Sequence, residues 1–143
     1  MKYKVALQLV ELEDNNFHLI APARFPDNEI HYWIIDTGAS KTVFDLNLKH
    51  LFNSEGETYD QIHTAGIGEK PIQTTIAELK PFKLNKLQVK YLKVALLDLS
   101  HINKFYSNAA NLNICGLLGS DFLLKSNAIV DYKSRTLRLK SID

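Results

Sequence analysis

The residues with most chemistry to offer are Asp36-Thr37-Gly38, which follow the apolar run Trp33-Ile34-Ile35. Hydrolysing an amide without a metal or a covalent nucleophile needs a water that loses a proton as it attacks. The leaving nitrogen must gain one. Two carboxylates a few ångströms apart do both if they share one proton, because like charges that close do not both ionise. One then acts as base and the other as acid, and the pair titrates as a unit. Such a carboxylate belongs on a rigid loop at the end of a buried strand. Glycine lets two backbones approach there, and a threonine hydroxyl can tie the loops together. Asp-Thr-Gly occurs once in the 143 residues, so the second carboxylate has to come from another copy. Two-fold association thereby becomes part of the chemistry. Alone, the tripeptide reads equally well as a simple turn, since Asp and Gly both favour turns.

The elements that must hold this loop are mostly strands. Lys2 to Leu12 alternates apolar and polar residues, and Asp14-Asn15-Asn16 turns it back into Phe17 to Ala21 as a hairpin. Glu29 to Ile35, rich in aromatic and β-branched residues, suits a strand buried on both faces that ends at Asp36. Asp45 to Phe52 reads as a short helical turn. Tyr59 to Ala65 and Ile72 to Leu79 form a second hairpin, with the glycine-rich tip Gly66-Ile67-Gly68 between them. Phe82 to Leu84 and Leu87 to Leu97 suggest a third. Ile102 to Ala110 is helix-compatible, Gly116 to Gly119 is a turn, and Ser120 caps a short helix to Leu124. Ala128 to Tyr132 and Thr136 to Leu139 close the chain as strands. No repeat, linker or low-complexity tract divides residues 1–143, so one mainly β domain is expected.

Asp36-Thr37-Gly38-Ala39-Ser40, the tip Gly66-Ile67-Gly68, and Leu117-Leu118-Gly119 before a short helix together resemble the retropepsin-like aspartic proteases. Ala128 to Tyr132 and Leu137-Arg138-Leu139 resemble the end strands of single-domain bacterial and retrotransposon members. The resemblance spans about Tyr32 to Leu139. It implies a closed barrel with one or two short helices and an aspartic endopeptidase active as a homodimer. Asp36 would be the catalytic aspartate, supported by a loop of Thr37, Gly38 and Ala39. Thr37 would bridge the dimer, and Gly38 would border substrate. Gly66, Ile67 and Gly68 would form a flap over a peptide, and Leu117, Leu118 and Gly119 a structural turn under the site. Ala39 carries no hydroxyl to donate to Asp36, from which an activity optimum nearer neutral follows. Ser40 stands where viral members often carry a substrate-binding aspartate, so it counts as a substrate-side position. Residues 99–113 exceed the minimal viral version as a helical insertion, which would rim the cleft or widen the dimer contact.

Other chemistries find less support. Lys and Arg number 17 against 16 Asp and Glu, a net charge of +1 with both signs mixed along the chain. Nucleic acid and anionic membranes are therefore not expected partners. Five histidines (His18, His31, His50, His63, His101) lack metal-ligand spacing, so no metal and no cofactor are expected. Cys115, the one cysteine, reads as a buried core residue. Asp45 and Asp131 read as surface or turn residues. The first apolar run is shorter than a signal-peptide core and nothing approaches a membrane span, so a cytoplasmic location is expected. Expected partners are a second copy and a peptide or protein substrate. The alternative keeps the fold without catalysis, as a peptide-binding or assembly module. An unrelated barrel with a coincidental motif would leave Asp36 and Gly119 apart.

Overall fold

The computed structural model describes residues 1–62 and 72–141, with side chains over 1–53 and 75–141. Its strands are β1 (Lys2–Ala6), β2 (Gln8–Glu13), β3 (Asn16–Arg24), β4 (Ile30–Ile35), β5 (Val43–Asp45), β6 (Phe52–Ile62) and β7 (Ile72–Leu79). They continue with β8 (Phe82–Leu84), β9 (Leu87–Val89), β10 (Lys93–Leu97), β11 (Ile114–Leu118), β12 (Ile129–Asp131) and β13 (Thr136–Lys140). Helix α1 (Ser100–Ala110) precedes β11, and α2 (Ser120–Lys125) follows it. A mainly β, retropepsin-like fold is what the sequence leads one to expect. The large sheet runs β6-β7-β10-β5-β11-β4-β3-β8-β9, with β2 also on β3; β1-β13-β12 forms a smaller one. It curls into a half-barrel rather than closing fully, since no described pairing joins β6 to β9.

Packing explains the element boundaries that differ from the sequence reading. Lys2 to Leu12 is two strands, because buried Leu7 donates its amide to the Arg135 carbonyl (2.8 Å) and the chain changes sheet there. Only β2 pairs with β3, while β1 pairs with β13. The helical turn expected after Asp45 shrinks to a 3₁₀ turn at Lys49–Leu51, and the residues before it form β5. Val43, Phe44 and Asp45 are buried between β10 and β11, where ladder bonds are the available partners. Leu87 to Leu97 splits into β9, which pairs with β8, and β10, which crosses to β7 and β5. Asparagines carry the left-handed conformations of several turns, including Asn15 between β2 and β3 and Asn85 between β8 and β9.

The main core centres on Trp33, buried against Phe25, Phe44 and Phe82. Their ring centroids lie 4.9 to 6.3 Å apart. Among the described residues Trp33 Nε1 finds no hydrogen-bond partner, so ring packing must outweigh an unsatisfied donor that costs about 1–3 kcal/mol. A second cluster lies under α1, joining Val10, Ile20, Ile34, Tyr106, Leu112 and Ile114. Asn103 clamps α1 to β11: its side chain accepts the Ile114 amide at 2.6 Å and donates to the Ile114 carbonyl at 3.0 Å. No helix among the described residues is long and apolar enough to cross a membrane.

Candidate active site

The geometry around Asp36 follows from where β11 sits. It lies between β4, to which it runs parallel, and β5, to which it runs antiparallel. The chain leaves β4 at Ile35, loops through Asp36 to Thr42 and re-enters as β5 on the other flank of β11. That loop therefore crosses the end of β11. Asp36 donates its amide to the Leu118 carbonyl at 3.0 Å, and the Ala39 carbonyl accepts the Ser120 amide at 2.7 Å. Asp36 and Gly119 are thus neighbours in space, and the coincidental-motif reading is excluded.

Glycine is required where the crossing is tightest. A Cβ on Gly119 would stand 2.7 Å from the Ala39 carbonyl oxygen and 2.9 Å from the Lys41 carbonyl carbon. One on Gly116 would reach 2.1 Å from the Val43 carbonyl oxygen and 2.6 Å from the Trp33 ring. Gly116 to Leu118 is accordingly strand rather than turn, and Ser120 is the first residue of α2 with no side-chain cap. Leu118 is buried in the main core, whereas Leu117 faces the same cavity as Asp36. Gly38 differs: among the described residues its Cβ would meet only Asp36 Oδ1, at 3.4 Å, so none of them demands glycine there.

A second layer beneath the loop escaped the sequence reading. Thr42 is fully buried, its hydroxyl donating to Asp121 Oδ1 at 2.7 Å and accepting the Gly119 amide at 3.1 Å. The Thr42 amide donates to that same carboxylate oxygen at 2.9 Å, and Lys41 Nζ lies 3.8 Å from the other. Residues 79 apart are thereby joined, and no local pattern signals it. Asp36 is half-buried, with Oδ1 accepting the Gly38 amide at 3.1 Å, while Thr37, Gly38 and Ser40 are exposed. Gly66, Ile67 and Gly68 lie outside the described residues.

Asp36 borders a cavity of about 330 Å³ with Ile34, Ile35 and Leu117 on its strand side. Ile102, Phe105 and Tyr106 of α1 form the facing wall, and Leu12 and His18 complete it. Helix α1, within the stretch 99–113, is therefore a wall of this cavity. Burial pushes the Tyr106 hydroxyl up to about 12, and His18 Nδ1 pairs with it. Among the described residues Asp36 is the one carboxylate in the lining.

The remaining titratable residues sort away from this site. Burial holds the Cys115 thiol well above its ordinary range, which leaves no thiolate to attack. Asp45 is buried rather than on the surface, because its Oδ1 accepts the amides of Asn47 and Leu99, each at 3.2 Å. His31 and His50 converge on one oxygen of Asp27, at 2.9 and 3.0 Å. Among the described residues no group of histidine, cysteine and acidic side chains has the arrangement of a metal site.

A family model described as aspartyl protease matches residues 21–122. Among solved structures, the chain is similar to a retropepsin-like aspartic protease from Rickettsia conorii, at 20% identity and TM-score 0.56, over 99% of this chain and 91% of that one. It is also similar to the retroviral protease-like domain of Ddi1 from Leishmania major, at 14% identity and TM-score 0.51, over 85% and 87%. No curated protein matches it.

Proposed function

This chain belongs to the aspartyl protease family, and from that premise we propose that it is an endopeptidase acting as a symmetric homodimer, with Asp36 of each copy activating one shared water. The observation that carries this reading is that, among the described residues, the cavity at the β4–β11 crossing offers one carboxylate, Asp36, on a loop whose backbone is pinned to Leu118 and Ser120. Hydrolysing an amide with an activated water, without a metal or a covalent nucleophile, calls for two carboxylates that share a proton, and a second copy supplies the missing one.

Three features of the chain support that assembly. Gly38 is exposed and no described residue of its own chain requires glycine there, as expected of a position that another backbone approaches. Leu124, 79% exposed, lies beside Thr37 in a shallow depression with Leu123 and Ala128. An apolar side chain in that place gains by being covered. Strand β12 is an edge of its sheet among the described residues, the kind of edge to which another strand can add. The set Thr37, Leu124 and β12 thus faces the partner, with residues 1–143 acting as one unit.

In the mechanism, the carboxylates flank the water and hold one proton between them. The ionised member takes a proton as the water attacks the scissile carbonyl, and the protonated member donates to the developing oxyanion. Collapse of the tetrahedral intermediate then delivers a proton to the leaving nitrogen. Thr37 links the two loops, Gly38 lines the substrate backbone, and residues 66–68 serve as the flap that excludes water. The apolar wall from α1 receives one substrate side chain.

Asp36→Asn tests the proposal. With a quenched fluorogenic peptide, the variant should lose at least about a thousandfold in kcat/KM while sedimenting as a dimer, as removal of a group that acts only in the transition state requires. A statine-type analogue should bind the wild type and inhibit it. Full activity in the variant ends the proposal.

A further inference from the structure

The two ends of the chain meet in the β1–β13–β12 sheet, and its outer face is basic. Lys2 stands opposite Lys140, and Lys4 opposite Arg138, in the β1–β13 register. All four are exposed, whereas Val5, Leu137 and Leu139 on the other face are buried. Like charges placed directly opposite each other on a sheet repel, so the free protein bears a cost for this arrangement. Among the described residues the ion pairs within 4.0 Å are those of His31 and His50 with Asp27 and of Lys41 with Asp121, and none relieves the four cations. Asp131 accepts the Ser134 amide, and Arg138 adds only a minor attraction. The same four residues line an open groove of about 700 Å³ that also presents Ile129, 56% exposed and opposite Arg138. Separated by more than 130 positions in the chain, the four cations form no stripe in the sequence.

We propose that this groove docks an extended acidic segment of a partner protein, with carboxylates at every second residue. Alternate residues of an extended chain project to the same side roughly 6.6–6.8 Å apart. Lys2 and Lys4 on β1, and Arg138 and Lys140 on β13, have that same spacing. Ile129 offers apolar contact to the segment's backbone and stems. A net charge of +1 sets the face apart from nucleic-acid domains, which are basic as a whole. One exposed isoleucine also gives a bilayer little to bury. The groove lies on the sheet's face, whereas the pairing proposed above uses the β12 edge. The inference does not depend on Asp36.

The test is fluorescence anisotropy of a labelled peptide alternating Glu with Thr, titrated with the intact wild-type protein. Binding should saturate and weaken as salt rises, and the Gln–Thr counterpart should not bind. Lys2→Glu combined with Lys4→Glu should weaken binding about tenfold or more, judged from the worth of surface ion pairs. Those substitutions turn both like-charge pairs into opposite-charge pairs, so the variant's Tm should equal or exceed that of the wild type. If the double variant fails to fold, Arg138→Gln carries the test, with about threefold weaker binding expected. No binding by the wild type, or unchanged binding by the folded variant, overturns the proposal. So does saturation by polyphosphate or phosphatidylserine vesicles where the peptide does not bind.

Discussion

Thr42→Val isolates the layer that holds the aspartate loop. Valine puts a methyl group in place of the hydroxyl, so the main change is the loss of two hydrogen bonds. The Gly119 amide loses its acceptor, the Thr42 hydroxyl, in a buried position, at a cost of about 1–3 kcal/mol. Asp121 loses a 2.7 Å charge-assisted bond, worth about 1.5–3 kcal/mol when lost outright. Because Asp121 keeps the Thr42 amide and the nearby Lys41, that loss falls at its lower end. The sum is about 3 kcal/mol, or roughly 6–12 °C in Tm for a domain of this size. Urea unfolding of wild type, Thr42→Val and Thr42→Ser measures it, with serine expected to recover most of the loss. Since Gly119 and Ser120 seat the Ala39 carbonyl, kcat/KM should also fall by up to about a hundredfold at temperatures where the variant is folded. A Thr42→Val protein within about 0.5 kcal/mol of wild type would refute the reasoning.

Further outcomes follow from the same geometry. Phe105→Ala removes part of the α1 wall opposite Asp36; kcat/KM for substrates with large apolar side chains should drop about ten- to a hundredfold relative to small ones, in parallel assays. Leu124→Glu puts a charge beside Thr37; sedimentation should show dissociation at concentrations where the wild type is dimeric, with activity lost in step. At Asp27, burial works to raise the pKa, but hydrogen bonds from His31, the Glu29 amide and His50 prevail and lower it from 3.8 to about 2. A depressed carboxyl stabilises the fold above its unfolded value, and that contribution is lost as pH falls from about 4 to about 2. Unfolding free energy should fall across this window, less steeply in Asp27→Asn, and identical slopes would refute it.

Local sequence was enough for the parts of this protein that depend on neighbours along the chain. The apolar run Tyr32 to Ile35 and the abrupt Asp36-Thr37-Gly38 mark a buried strand ending in a chemically capable loop, and asparagine turns mark the hairpins. Three-dimensional packing decided the rest. Leu7 looks like any strand residue until Arg135 offers it a carbonyl from the far end of the chain. Residues 116–118 look like a turn until β4 and β5 flank them and the ladder leaves strand as the conformation that satisfies their backbone. Thr42 and Asp121 are silent in sequence because they stand 79 residues apart, whereas a helix over 99–113 at the rim of the cleft was legible from its length and composition. The basic face is silent because its two halves are opposite ends of the chain. Periodicity and turn chemistry are local properties of a polypeptide, whereas burial, charge apposition and hydrogen-bond satisfaction belong to the assembled sheets.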